Sequence, residues 1–255
     1  MSASPTPDAN DAAVAFANPH LPVAVVGAGP VGLAAAAHLL RRGQAVVVLE
    51  AGETVVAGVL AWGHVRLFSP WRYVVDEAAG ALLAEAGWTA PNPEVFPTGR
   101  EVVERYLAPL AALPALRPRI RLGTRVGRVA RAGFDRVKSD GREAAPFLLL
   151  LHGPDGEETL LARAVIDASG TTATPNPLGA SGAPAIGEAA ARDRLVYGIP
   201  DALGADRERY AGKRVLVVGS GHSAFNALLD LVDLADEAPG TTVAGVTTRS
   251  KCPSP

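Results

Sequence analysis

Apolar residues arrive along this chain in short unbroken runs separated by longer stretches of mixed character. The run Val23-Ala24-Val25-Val26 has the length and β-branched content of a strand buried on both faces. Residues 45–49 (Ala-Val-Val-Val-Leu) have the same character. Between them Ala34, Ala35, Ala36 and Ala37 favour a helix, with Arg41 and Arg42 in its last turn and Gly43 after it. Further on, the pattern predicts a helix over 76–86 stopped by Gly87. A second follows from Gly99 or Arg100 to about 113, with Thr98 as its cap. Alternation around 119–129 predicts a strand, residues 147–151 and 159–161 a hairpin, and 162–167 a further strand. Residues 171–212, rich in Pro and Gly, are mostly irregular. The pattern of the first segment then recurs: a strand over 215–218, a helix to about 234 and a strand over 241–247.

The two strand-helix-strand segments carry the chemistry. In the first, Gly27 permits a tight turn out of the strand. Gly29 lacks the side chain that would keep a pyrophosphate off the backbone, Pro30 opens the helix, and Gly32 lets that helix pack closely on the strand. Glu50 ends the second strand, where a carboxylate can accept from a ribose 2′-hydroxyl and would repel a 2′-phosphate. FAD or NAD is therefore expected at this unit, not NADP. In the second segment Gly219, Gly221 and Ala224 form the turn, and Ala224 is small enough for close packing. Arg249 and Lys251 stand where an acid would be expected. They either pair with a 2′-phosphate, which favours NADP, or are solvated charges. His222, inside this turn, either shapes it or approaches a nicotinamide cofactor.

The middle of the chain offers less specific candidates. The stretch around Trp62, His64, Arg66, Phe68, Ser69, Trp71, Arg72 and Tyr73 either covers a planar ligand and lines a substrate pocket, or closes a core with its aromatics. Nothing in the sequence orients His64 as a general base. The strand ending Asp167-Ala168-Ser169-Gly170 allows close backbone approach to a ligand at Gly170. Residues 192–203 are placed to line a cleft.

Composition narrows the classes. Hydrophobic residues make up 48% of the chain, which is globular and not disordered composition. With 24 Lys and Arg against 26 Asp and Glu, no nucleic acid partner is expected. Cys252 is the only cysteine, which excludes an internal disulfide, a Cys-x-x-Cys redox pair and a four-cysteine metal site. His20, His38, His64, His152 and His222 form no short-spaced ligand cluster, and no metal is expected. Residues 1–19 are expected as a flexible tail without a signal-peptide pattern. No apolar stretch reaches the roughly 20 residues of a membrane span, so none is expected, and the cytoplasm is the expected location.

Taken together, the two fingerprints and the hairpin region between them resemble the two-dinucleotide-binding-domain flavoproteins, within them the flavin-containing monooxygenase and pyridine nucleotide oxidoreductase group. Gly27, Gly29, Pro30, Gly32 and Glu50 match the group's FAD fingerprint. Asp167-Ala168-Ser169-Gly170 resembles its handover segment between domains, and Gly219, Gly221 and Ala224 match its nucleotide turn. The resemblance implies an α/β chain with a Rossmann-like FAD-binding domain, a β-hairpin region and the start of a second Rossmann-like NAD(P)-binding domain. It implies bound FAD, NADPH as hydride donor, and a small-molecule substrate or electron acceptor, with O₂ activation in the monooxygenases. The expected ranges are 20–175 for the FAD-binding domain, 176–212 for a connection and 213–255 for a partial NAD(P)-binding domain. The return segment that completes the FAD domain in this group is not seen, so a C-terminally truncated chain is expected. Its open strand edges invite self-association into a homo-oligomer. Two other readings stay open: an NAD(P)-dependent dehydrogenase without flavin, and a shortened nucleotide-binding or interaction module without catalysis.

Overall fold

The computed structural model describes residues 20–137, 139–171, 174–179 and 182–246. The expected tail, Arg249 and Lys251 lie outside the described residues. The chain forms two compact units, each discontinuous in sequence. One holds the chain up to Ala57, Trp71–Pro93 and Val103–Gly170; the other holds Gly58–Pro70, Glu94–Val102 and everything from Thr171. The contiguous ranges expected from the sequence divide the chain differently, because residues 58–70 and 94–102 cluster with the later part.

In the first unit, β1 (Val23–Val26), β2 (Val46–Leu49), β3 (Ile120–Arg121) and β7 (Ala164–Asp167) form a parallel sheet in the order β3-β2-β1-β7. The two inner strands are the unbroken apolar runs, as burial on both faces requires. The helix Pro30–Arg41 joins them and buries Leu33 together with Gly32, Ala36 and Ala37, the small residues that allow close approach. The helix Glu77–Glu85 is capped by Asp76, whose carboxylate accepts from the Ala79 amide at 3.0 Å. Its other oxygen lies 3.1 Å from His38 Nε2.

An antiparallel sheet of β4 (Arg125–Arg131), β5 (Phe147–Gly153) and β6 (Gly156–Ala162) belongs to the same unit. The hairpin is longer than expected, turning on Pro154 and Asp155 alone with Gly153 paired to Gly156. Its strands carry Leu149, Leu151 and Ala162 into one buried cluster with Ala24 and Leu49. The single strand expected over 119–129 is two. Gly123, at φ +60°, turns the chain between β3 in the parallel sheet and β4 in the antiparallel one.

In the second unit β8 (Arg214–Val218) pairs in parallel with β9 (Thr242–Val246), and the helix His222–Glu237 joins them. Leu231 and Leu234 of that helix pack with Ala202 and Tyr210. Leu216, Phe225 and Leu229 stay exposed. Thr98 forms a reciprocal cap: its hydroxyl accepts from the Glu101 amide at 3.2 Å, and the Glu101 carboxylate accepts from the Thr98 amide at 2.7 Å. Among the described residues no helix is long and apolar enough to cross a membrane.

Candidate nucleotide sites and an adjoining cavity

The first glycine turn is built from three different steric demands. Gly27 sits at φ +98°, and a Cβ there would stand 2.5 Å from the Ala168 carbonyl oxygen. Gly32 would place a Cβ 1.9 Å from the Gly27 carbonyl oxygen. Gly29 is the opposite case: its backbone is extended, at φ −79° and ψ −175°, and a Cβ would meet nothing within 4 Å. Any residue adopts that conformation, so the glycine matters for the empty space it leaves. That space lies at the start of a helix whose first turn holds no acid and whose cap makes no side-chain hydrogen bond, so free N–H groups face it.

Glu50 closes the turn from the strand side. Its carboxylate accepts from the Ala28 amide at 2.7 Å and from the Gly52 amide at 2.8 Å. The Ala28 carbonyl in turn accepts from Val56 N–H at 3.2 Å. The peptide at Ala28 is thus held from both sides. Val56 achieves this in the left-handed region, at φ +56°, and is 2% exposed. That conformation is costly for a β-branched residue. Gly170 ends the segment after β7 with open space at its Cβ position. There the Ser169 hydroxyl and amide both donate to Asp167, holding its carboxyl below the usual range.

The second turn repeats the geometry. Gly219 N–H donates to the Val246 carbonyl as Gly27 N–H does to Leu49. Gly221 precedes its helix at φ −87° and ψ 176°, close to the Gly29 values, and again a Cβ would meet nothing within 4 Å. The Ala224 methyl lies 3.6 Å from where a Cβ on Gly219 would be.

A cavity of about 520 Å³ adjoins this second turn within the same unit. Trp62, Arg66 and Phe68 come from the irregular aromatic stretch, Tyr197 and Ile199 from the region expected to line a cleft, and His222, Ser223 and Asn226 from the helix. The rings of Phe68 and His222 are 4.5 Å apart. Arg66 donates to the Phe96 carbonyl at 2.6 Å. His64 is not in the lining, and its Nε2 is buried without a partner. Asp230, one turn beyond Asn226, is pushed up by burial, with His64 opposing and Asp233 and Asp201 adding to the shift.

Sequence reasoning missed Glu188. Its side chain is buried, 6% exposed, and accepts from the amides of Leu178 at 3.1 Å and Ala185 at 2.6 Å and from the Tyr197 hydroxyl. The Tyr197 bond holds the carboxyl below its ordinary range and pushes the phenol above its own. One signal was available: Glu188 is the sole charged residue between Gly170 and Arg192. A lone charge among small and apolar residues must find donors if it is buried.

Comparison with known proteins agrees with this geometry. A family model described as an NAD(P)-binding Rossmann-like domain matches residues 25–84. Indole-3-pyruvate monooxygenase YUCCA1 of Oryza sativa subsp. japonica is 30% identical over 212 residues, which cover 81% of this chain and 44% of that protein. The chain therefore spans under half the length of that relative. Among solved structures, bacillithiol disulfide reductase Bdr from Bacillus cereus is similar with a TM-score of 0.61 at 20% identity, over 89% of this chain and 58% of that one. OTEMO in complex with FAD and NADP gives 0.56 at 25% identity, over 90% and 39%. A mutant flavin monooxygenase from Stenotrophomonas maltophilia gives 0.55 at 26%, over 90% and 58%. With its parallel βαβ sheet, its hairpin region and its second glycine turn, the chain has the Rossmann-like dinucleotide-binding architecture seen in two-domain flavoproteins.

Proposed function

We propose that this chain is the nucleotide-handling part of an FAD- and NADPH-dependent oxidoreductase, of the monooxygenase kind. The carrying observation is the pair of helices that begin at Gly29 and Gly221 with nearly the same backbone angles and the same empty space. The residues fit a dinucleotide at each place. Gly29 and the helix start behind it would hold the FAD pyrophosphate, with the Glu50 carboxylate beside the ribose. A carboxylate offers about four acceptor positions, so Glu50 can keep its two amide bonds and still accept from a hydroxyl. Gly221 and the start of His222–Glu237 would hold the NADPH pyrophosphate, with Arg249 as a partner for its 2′-phosphate.

FAD held at the first turn would supply the redox chemistry, and NADPH at the second would be its source of hydride. The protein's own part is placement. Gly27 and Gly32 keep strand and helix close, Glu50 fixes the turn, and the cavity beside His222 offers an aromatic wall to a planar group. Support for the monooxygenase kind comes from the rice relative and the Stenotrophomonas structure, both named as monooxygenases. The same reading takes a small-molecule substrate or electron acceptor, a cytoplasmic location, and self-association through the open edges of β8 and β9.

A second reading has one observation behind it: the matched family model is described as NAD(P)-binding, and it covers the first fingerprint. There the first site takes NAD and the chain needs no flavin. Reconstitution of the purified chain with FAD decides between them. Flavin absorbance that stays with the protein through gel filtration, and bleaches on anaerobic addition of NADPH, is the expected result. Protein that emerges colourless yet binds NAD favours the dehydrogenase. Flavin that binds without bleaching favours a binding module without catalysis.

A further inference from the structure

Among the described residues from Leu178 to Ile199 only Arg192–Arg194 form a short helical turn, yet the stretch supplies Tyr197, Gly198 and Ile199 to the cavity wall. One carboxylate fastens it. Glu188 Oε1 accepts from the Leu178 amide and the Tyr197 hydroxyl, and Oε2 accepts from the Leu178 and Ala185 amides. The two amides can only donate, and the Tyr197 hydroxyl spends its one proton on the same group, an arrangement that suits an ionised carboxylate. Arg192 lies over the Tyr197 ring, 4.9 Å from its centre, and fixes the ring from one side.

We infer that Glu188 is the positioning residue of the cavity, acting through Tyr197 to set the wall formed by Tyr197, Gly198 and Ile199. Its anchors on both sides, Leu178 and Ala185 before it and Tyr197 after it, make the wall's place depend on one side chain. The arrangement also sets what the wall offers. The phenol hydroxyl is committed to Glu188, so Tyr197 presents ring surface to a ligand and no free donor. At Tyr197 the wall therefore favours an apolar or planar group over one seeking a hydrogen-bond donor.

The test uses the full chain as wild type, Glu188→Gln, Tyr197→Phe and the double variant. The chain has four tyrosines, and subtracting the Tyr197→Phe absorbance titration from the wild-type one isolates the Tyr197 phenol. In Glu188→Gln, isolated by subtracting the double variant, that phenol is expected to ionise at lower pH than in wild type. A merely structural carboxylate, holding only the backbone, would leave the phenol unmoved. NADPH affinity, read from nicotinamide fluorescence, is expected to weaken roughly threefold or more in Glu188→Gln, and to change little when the same substitution is added to Tyr197→Phe. An unmoved phenol, or two substitutions whose effects multiply independently, overturns the inference. If Glu188→Gln does not fold, Tyr197→Phe alone decides: unchanged NADPH affinity overturns it. The NADPH arm rests on the nucleotide reading above. A wild-type chain that binds no NADPH sinks that reading, while the phenol titration still decides the Glu188–Tyr197 link.

Discussion

The Glu50 carboxylate accepts from the Ala28 amide at 2.7 Å, so the residue proposed to meet a ribose also braces the turn proposed for the pyrophosphate. Glu50→Ala strips this bond and the one to Gly52, leaving two part-buried amides unpaired. Hydrogen bonds to charged groups contribute about 1.5–3 kcal/mol each, and exposure reduces the sum, so a loss of about 2 kcal/mol in unfolding free energy is expected. Denaturant melts of the flavin-free protein would register it. An unchanged midpoint would mean that Glu50 does not brace the turn.

Gly29→Ala and Gly32→Ala should part company. At position 29 an alanine methyl enters open space on a backbone any residue adopts. Folding stability should fall by no more than about 1 kcal/mol, the usual cost of alanine at a helix cap, while FAD retention falls sharply. At position 32 the methyl meets the Gly27 carbonyl oxygen at 1.9 Å, and overpacking of this kind costs about 1–3 kcal/mol. Thermal melts and flavin content, measured on both variants, would separate the roles. Equal loss of stability in the two would refute the distinction.

Val56 reverses a familiar order. Its side chain is buried, so truncation to alanine loses packing and keeps the left-handed strain at φ +56°. Truncation to glycine loses one carbon more but releases the strain that any Cβ suffers there, worth about 1–2 kcal/mol. Val56→Gly is expected to be the more stable of the two variants by urea denaturation, although glycine is normally the worse choice.

Asp230 carries a pH signature. Burial raises its folded pKa above the unfolded value, so the native state binds more protons between the two. Stability contributed by the neutral form is present below the unfolded pKa and is lost as pH rises through the folded one. Asp230→Asn should be more stable than wild type at neutral pH and should flatten that decline in mildly acidic solution. Melts across that range would check it; a variant less stable than wild type at every pH would contradict the burial argument.

How far these features could be read without coordinates varied for physical reasons. The βαβ segments were legible because apolar runs and glycine spacing point one way in both, joined in the first by the terminal acid Glu50. The hairpin was legible from its turn residues. The strand over 119–129 misled because alternation does not reveal a turn at Gly123 that sends the chain into another sheet. Val56 was invisible because its conformation runs against its own propensity. Glu188 was marked only by being the lone charge between Gly170 and Arg192, a weak signal because a carboxylate in a Pro- and Gly-rich stretch ordinarily faces water. The aromatic stretch left two readings open and both apply: Trp62, Arg66, Phe68 and Ser69 line a cavity, while Trp71 is buried in a core.

The place of β7 beside β1 has a consequence for the order in which the protein is made. Gly27 packs against Ala168 and Ser169, and Val26 pairs with Asp167. The glycine turn leaves the ribosome early, but the strand that flanks it follows more than a hundred residues later, which at about 5–20 residues per second is a wait of several seconds. During that interval β1 is a bare apolar edge. The most recognisable segment of the chain is therefore not finished when it emerges, and the growing polypeptide should engage holding chaperones until Asp167 has been synthesised.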